Sequence, residues 1–310
     1  MTKNIKLFKK INLFFLIPVL ALTFCQKQGS RTDVDPQYVT AGQEWHNNRI
    51  KALTAPDSWL SLAGLFWLKQ GENRFGSHKS NDFVFPEDRA PEFMGSFFLQ
   101  GSEVRVKINK GIDVLANETP VTEMPLKSDE TGEPTFLSYG TLSWYVIKRG
   151  DKYGVRLRDS ENPRLIEFKG IDIYPVDPVW RLTARFEPYD PPRKINVPNV
   201  LGTISEETSP GALVFDIKGK TYRLDPVAEP GAKRYFIIFA DETNGRETYG
   251  AGRFLYIDAP GQDGTTFIDF NKAYNPPCAF SPFATCPLPP AQNRLAVKIT
   301  AGEKNYEGGH

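Results

Sequence analysis

Apolar and polar residues alternate through most of this chain from about residue 60 onward, the period of half-buried β-strands. Val104-Arg105-Val106-Lys107-Ile108 alternates strictly after the turn Gln100-Gly101-Ser102. Leu142 to Lys148, the turn Arg149-Gly150-Asp151 and Tyr153 to Arg158 predict a hairpin, with Val155 and Leu157 inward and Arg156 and Arg158 outward. Trp180–Glu187, Leu213–Ile217, Thr221–Leu224, Arg234–Ala240, Phe254–Ile257, Thr266–Phe270 and Leu295–Ile299 continue the series. Tyr235-Phe236-Ile237-Ile238-Phe239 is apolar on both phases and predicts a central strand buried on both faces. One helix precedes the strands. Thr40-Ala41-Gly42-Gln43 reads as its capping box, Ala41, Trp45, Ala52 and Leu53 share a helical face, and it should end before Pro56.

The first residues follow another pattern. Lys3, Lys6, Lys9 and Lys10 precede the apolar run Ile11–Leu22, the layout of a signal peptide and too short for a bilayer span. Leu22-Thr23-Phe24-Cys25 then resembles a lipobox with Cys25 as the lipidated residue, although Phe24 stands where such sites usually carry a small residue. Residues 26–40 are polar and aperiodic and read as a tether. The expected organisation is a signal peptide over 1–25, the tether over 26–40, the helix and a β-sandwich over 41–160, and a second β domain over 161–310. The expected location is the cell envelope, lipid-anchored to a membrane at its periplasmic or outer-membrane face.

Composition narrows the function classes. A formal net charge of +1, with no basic run beyond the N-terminus, argues against nucleic acid as the main partner. The three histidines, His46, His78 and His310, are scattered, and none lies near a cysteine in sequence, so neither a metal site nor a cofactor is expected. Gly-x-Ser-x-Gly, a P-loop and a dinucleotide fingerprint are missing, and Gly250-Ala251-Gly252 reads as a tight turn. With Cys25 taking lipid, Cys278 and Cys286 remain. In an oxidising envelope a disulfide is the natural pairing, the alternatives being a reactive thiol pair or metal ligands.

Residues 269–293 break the strand rhythm. Prolines fix their own φ and restrict the residue before them, so this stretch holds Asp269, Asn271, Tyr274, Asn275 and Asn293 on stiff irregular backbone, where binding sites tend to lie. If consecutive strands are neighbours, Arg253 pairs with Asp269 or Asp241 beside a row of amides. The functional reading is a site in which Asp269 or Asp241 is a catalytic base and Arg253, Asn271, Tyr274, Asn275 and Tyr249 bind a small polar or anionic ligand, hydrolysis being the reaction to test first. The alternative is a non-enzymatic interaction module in which the same groups form a closed structural network.

Two resemblances follow from these residues. The stretch 269–293, together with Asp57-Ser58-Trp59-Leu60, Gly64–Leu68, Phe75-Gly76-Ser77, Thr248–Leu255 and Ala301–Lys304, resembles the domain-of-unknown-function family DUF1684 over about residues 45–305. That family has no established activity. Residues 60–159 have the rhythm of a forkhead-associated β-sandwich, through Gly71–Ser77, Asn81–Phe85, Val114–Asn117 and Leu137–Gly140. The phosphothreonine-binding Arg and Ser-x-x-His of that fold are missing, Ser77 and Pro91–Gly95 standing in their places. The fold class expected is therefore all-β: a forkhead-associated-like sandwich, then a C-terminal antiparallel β domain, with one short N-terminal helix.

Overall fold

The computed structural model describes residues 1–2 and 35–308, and residues 35–308 fall within one compact unit. The signal-peptide and lipobox residues, Cys25 among them, lie outside the described residues, as does His310. No helix among the described residues is long and apolar enough to cross a membrane.

The N-terminal helix spans Pro36–Leu53, starting four residues before Thr40 and taking over the end of the expected tether. Asp35-Pro36 is the stronger start signal: the Asp35 side chain accepts from Gln37 N at 2.9 Å, and proline at the first position has no N–H to lose. Its buried stripe is Gly42, His46 and Leu53, while Ala41 and Ala52 are exposed. The expected face is thus rotated by one residue. The helix docks through polar groups, His46 and Arg49, and through the close approach of Gly42 to Val176, none of which a hydrophobic count registers.

Residues 62–159 form a β-sandwich. One sheet orders the strands 62–67, 152–159, 142–149, 137–139, 115–116 and 119–120; the other orders 83–84, 71–76, 95–100, 103–108 and 123–126. Trp144 is fully buried in the shared core, 5.9 Å from Phe75 and 5.5 Å from Phe85 between ring centroids. Val104, Val106 and Ile108 point inward as their alternation requires. The hairpin 142–149/152–159 departs from simple alternation. Val155 and Leu157 are buried, but so is Arg156, at 2% exposure. Its guanidinium lies over Trp59 and donates to the Tyr145 hydroxyl and to Thr285 Oγ1, so the proline-rich loop covers the face expected to meet solvent.

A four-stranded sheet follows, ordered 220–224, 204–217, 181–198 and 265–269, and the hairpin 234–239/253–258 packs beside it. Ile237 and Phe239 enter one apolar cluster and Ile238 another, so the strand 234–239 is buried on both faces as expected. It is not flanked by two strands among the described residues: it forms a ladder with 253–258, and its other edge carries an isolated bridge from Phe236 to Val227. The second of those clusters joins Leu62 to Ile195, Val197, Ile238, Phe254 and Cys278, packing the sandwich and the C-terminal region together. Leu295–Ile299 is no strand. Leu295 N donates to the Ala240 carbonyl and Glu242 N to that of Val297, while the Ile299 carbonyl and N–H are taken by the guanidinium and carboxylate described next.

Candidate functional site: a sealed arginine and an open groove

Arg253 and Asp241 meet, as one arm of the sequence reading expected. Arg253 Nη2 donates to Asp241 Oδ2 at 2.7 Å, and both side chains are fully buried. The same guanidinium donates to the carbonyls of Ile299 (3.0 Å), Ala301 and Glu303. Asp241 Oδ1 accepts from Thr243 N, Thr243 Oγ1 and Ile299 N. The charge and both terminal nitrogens are spent here, with only the buried Nε–H unpartnered, in a closed brace for the irregular segment 295–303. Arg253 makes no bond to Asp269. The reason is topological: the strand 253–258 pairs with 234–239, while 265–269 pairs with 181–185 in another sheet.

Asp269 and Asn271 form a second cluster with the helix. Asp269 Oδ1 accepts from the Tyr38 hydroxyl at 2.8 Å, from Asn271 N at 3.2 Å and from Asn271 Nδ2 at 3.1 Å. Burial, and then the Asp269 charge, push the Tyr38 hydroxyl pKa up. Asn271 Oδ1 accepts from Asp177 N, and its carbonyl lies 3.0 Å from His46 Nε2. A carbonyl can only accept, so His46 carries its proton on Nε2, and burial lowers its pKa from the ordinary 6.5. Tyr274 and Asn275 belong to a third cluster. Arg49 lies over the Tyr274 ring at 4.7 Å, donates to the Asn275 carbonyl and pairs with Glu303 at 3.2 Å. Glu303 Oε2 accepts from Asn275 N at 2.7 Å, and burial raises the carboxyl pKa. The Tyr274 hydroxyl pKa is raised by burial, and that of Tyr249 is pushed up to about 12, also by burial first.

Cys278 and Cys286 are free, buried and adjoining. The Cys278 N–H points at Cys286 Sγ, 3.0 Å away. The hydrogen bond to Cys278, and then burial, hold the Cys286 thiol well above the ordinary range.

A cavity of 760 Å3 lies against the helix at Gln43, His46 and Asn47 and is also lined by Glu303. Its two buried titratable groups are already committed, His46 to Asn271 and Glu303 to Arg49 and Asn275. A 490 Å3 groove on the other side differs in this respect. It is lined by Arg181, Arg234, Lys272, Asp258, Asp269 and Phe267, with Trp45, Tyr256 and Tyr274 at one end. In the ladders Arg181 stands opposite Asp269, and Arg234 opposite Asp258. Opposite charges so placed usually join. Here each guanidinium turns onto a ring instead: Arg181 lies 3.7 Å over Phe267, and Arg234 lies 4.8 Å over Tyr256. Neither makes a salt bridge or hydrogen bond among the described residues, whereas Lys272 lies 3.9 Å from Asp269.

Residues 166–304 match the family model described as a protein of unknown function, DUF1684. The match covers somewhat less than half of the chain, and over that stretch the chain is similar to DUF1684. The match is narrower than the resemblance over 45–305, which also counted the sandwich motifs. Among solved structures, the chain is similar to an uncharacterised protein from Haloarcula marismortui, at 29% identity over 45% of this chain and 78% of that one, with a TM-score of 0.38. It is also similar to an FHA domain studied for phosphothreonine-dependent interactions (14% identity, 30% of this chain and 92% of that one, TM-score 0.22). An FhaA FHA domain solved with the intracellular domain of another protein matches at 15% identity over 30% of this chain and 97% of that one, TM-score 0.22. No curated protein matches.

The region matched by the DUF1684 model supplies Arg181, Arg234, Tyr256, Phe267 and Asp269 of the groove, while Trp45 reaches it from the helix outside that region, from which Tyr38 also donates to Asp269. Sequence reasoning singled out Asp269 and Tyr274 and passed over the two arginines. A signal was there: Tyr256 and Phe267 are large apolar residues in the outward phase of their strands, 44% and 47% exposed.

Proposed function

We propose that this protein is a binding module for a small anionic ligand, held in the groove between Arg181 and Arg234. The observation that carries the reading is the pair of guanidinium groups that face one groove, rest on aromatic rings and keep their donor forks unspent. Planar forks of this kind match carboxylate, phosphate or sulfate oxygens two at a time. Stacking on Phe267 and Tyr256 restricts the arginine rotamers before a ligand arrives, which lowers the ordering cost of binding. Titration calorimetry of the full chain with acetate, inorganic phosphate and sulfate tests the reading. Binding of at least one anion, lost in Arg181→Ala and in Arg234→Ala, supports it; binding that survives both substitutions overturns it.

Hydrolysis is the second reading, and the presence of the Asp269 carboxylate in the same groove favours it. Asp269 Oδ1 is spent on Tyr38 and Asn271, which leaves Oδ2 as the only oxygen for a water. Asp241, the other candidate base, is sealed against Arg253. Binding without chemistry therefore fits better.

Two sequence expectations complete the proposal. Lipid on Cys25 would hold the module at a membrane surface, and stable anchoring takes more than one acyl chain. Radiolabelled palmitate should enter the wild type and not Cys25→Ala. In an oxidising envelope Cys278 and Cys286 would close a short disulfide under the groove-bearing hairpin, and their contact through Cys286 Sγ favours it.

A further inference from the structure

Beside the anionic groove lies an aromatic cleft of 430 Å3, walled by Trp45, Trp59, Phe236, Tyr256, Tyr274 and Arg49, among others. Three of these residues, Trp45, Tyr256 and Tyr274, also line the groove, so the two spaces are contiguous. Among the described residues, the cleft holds no free charged group. Arg49, its one charged wall, is already bound to Glu303 and to the Asn275 carbonyl. The ring planes of Tyr256 and Tyr274 lie within 14° of each other, with centroids 6.5 Å apart, and Trp45 lies 6.3 Å from Tyr274. Trp45 is tilted 49° to Tyr274, and the two parallel tyrosine rings present flat faces that favour a planar ring over a flexible chain.

We propose that the ligand is a small aromatic acid: an aryl group in the Trp45/Tyr256/Tyr274 cleft, joined by a short spacer to a carboxylate on the Arg181 and Arg234 forks. This rests on the anion-binding reading above and adds the identity of the other end of the ligand. Charge complementarity fixes the orientation. The unspent cations stand in the groove, and Arg234 lies over Tyr256, a wall shared by both spaces, so acid and ring meet adjoining surfaces. Trp45, placed by the sequence on the helix's apolar face, thereby becomes a ligand contact; it is only half-buried.

Calorimetry of the full chain with acetate, phenylacetate, hexanoate and benzyl alcohol tests this. Phenylacetate should bind at least about tenfold more tightly than acetate or hexanoate, a difference typical of one well-placed aromatic contact. Trp45→Ala should remove that advantage and leave acetate unchanged, while Trp45→Phe should restore most of it, which separates lost contact from lost folding. Equal affinity for acetate and phenylacetate, both lost in Arg181→Ala, would overturn the aromatic end and leave anion binding standing. Hexanoate as tight as phenylacetate would overturn the planar ring in favour of an acyl chain. Benzyl alcohol binding as well as phenylacetate, with no effect of Arg234→Ala, would overturn the anion reading and this one with it, as would the binding of none of the four.

Discussion

Arg253 and the pair Arg181/Arg234 carry the same side chain to opposite ends. Arg253 is fully buried, spends its donors on one carboxylate and three carbonyls, and braces a strandless segment. Arg181 and Arg234 sit on exposed strand positions, each opposite a carboxylate, and turn onto aromatic rings instead. The difference teaches how to recognise a binding arginine. Proximity to a motif and to acidic residues marks Arg253, yet both its terminal nitrogens are committed and the one free donor, Nε–H, is buried out of a ligand's reach. Unspent donors on a preordered, accessible group are the better sign.

The sharpest way to break the comparison is to remove the brace. Arg253→Met leaves Asp241 buried and unpaired and should cost about 3–5 kcal/mol of unfolding free energy, read from urea titration. Arg253→Lys should also lower the melting temperature, because a single ammonium cannot serve Asp241 and the three carbonyls at once. Unchanged stability with lost anion binding would reverse the roles assigned to the two regions.

Oxidation gives the next effect. Closing Cys278–Cys286 should add about 2–3 kcal/mol, the chain-entropy value for so short a loop. It is checked by unfolding with and without reductant and by intact mass. The reduced thiols should resist iodoacetamide until the protein unfolds, since both are buried.

Arg181→Ala and Arg234→Ala should behave in the opposite way to Arg253→Met. Their stability should stay within about 0.5 kcal/mol of wild type, as for other exposed positions, while anion affinity falls about tenfold or more, roughly 1.4 kcal/mol. A large loss of stability would make them braces too.

The smallest effect is in pH. Burial lowers the His46 pKa in the folded state, so below the ordinary 6.5 the unfolded chain takes up a proton that the folded chain refuses. The stability His46 contributes is present above 6.5 and is lost as pH falls towards its folded value. Arg49 and Asp269 act on the same ring with opposite sign. Glu303 acts the other way: its raised pKa contributes stability below the ordinary 4.5 that is lost as pH rises. His46→Gln keeps an N–H for the Asn271 carbonyl, so its melting temperature should fall less than that of wild type between pH 7 and 5.

Local pattern alone determined much of this protein. Strict alternation in Val104–Ile108, the hairpin 142–158 and the two-sided strand 234–239 were legible because side-chain direction in a strand is fixed by parity, and parity is written in the sequence. The DUF1684 signature was legible for a similar reason, since prolines and asparagines hold stiff backbone locally. Tertiary structure decided what covers each face and which strands become neighbours. Arg156 was outward by parity and buried in fact, because a loop more than a hundred residues away lies over it. The helix stripe was misread because its buried face is polar and finds its partners at Asn271, Asn275 and Glu303. Arg253 and Asp269 were separated by the pairing of 265–269 with 181–185. Hydrogen bonds between distant segments form only once the chain has closed its long loops, so which donors are left unspent is not a property of any local stretch.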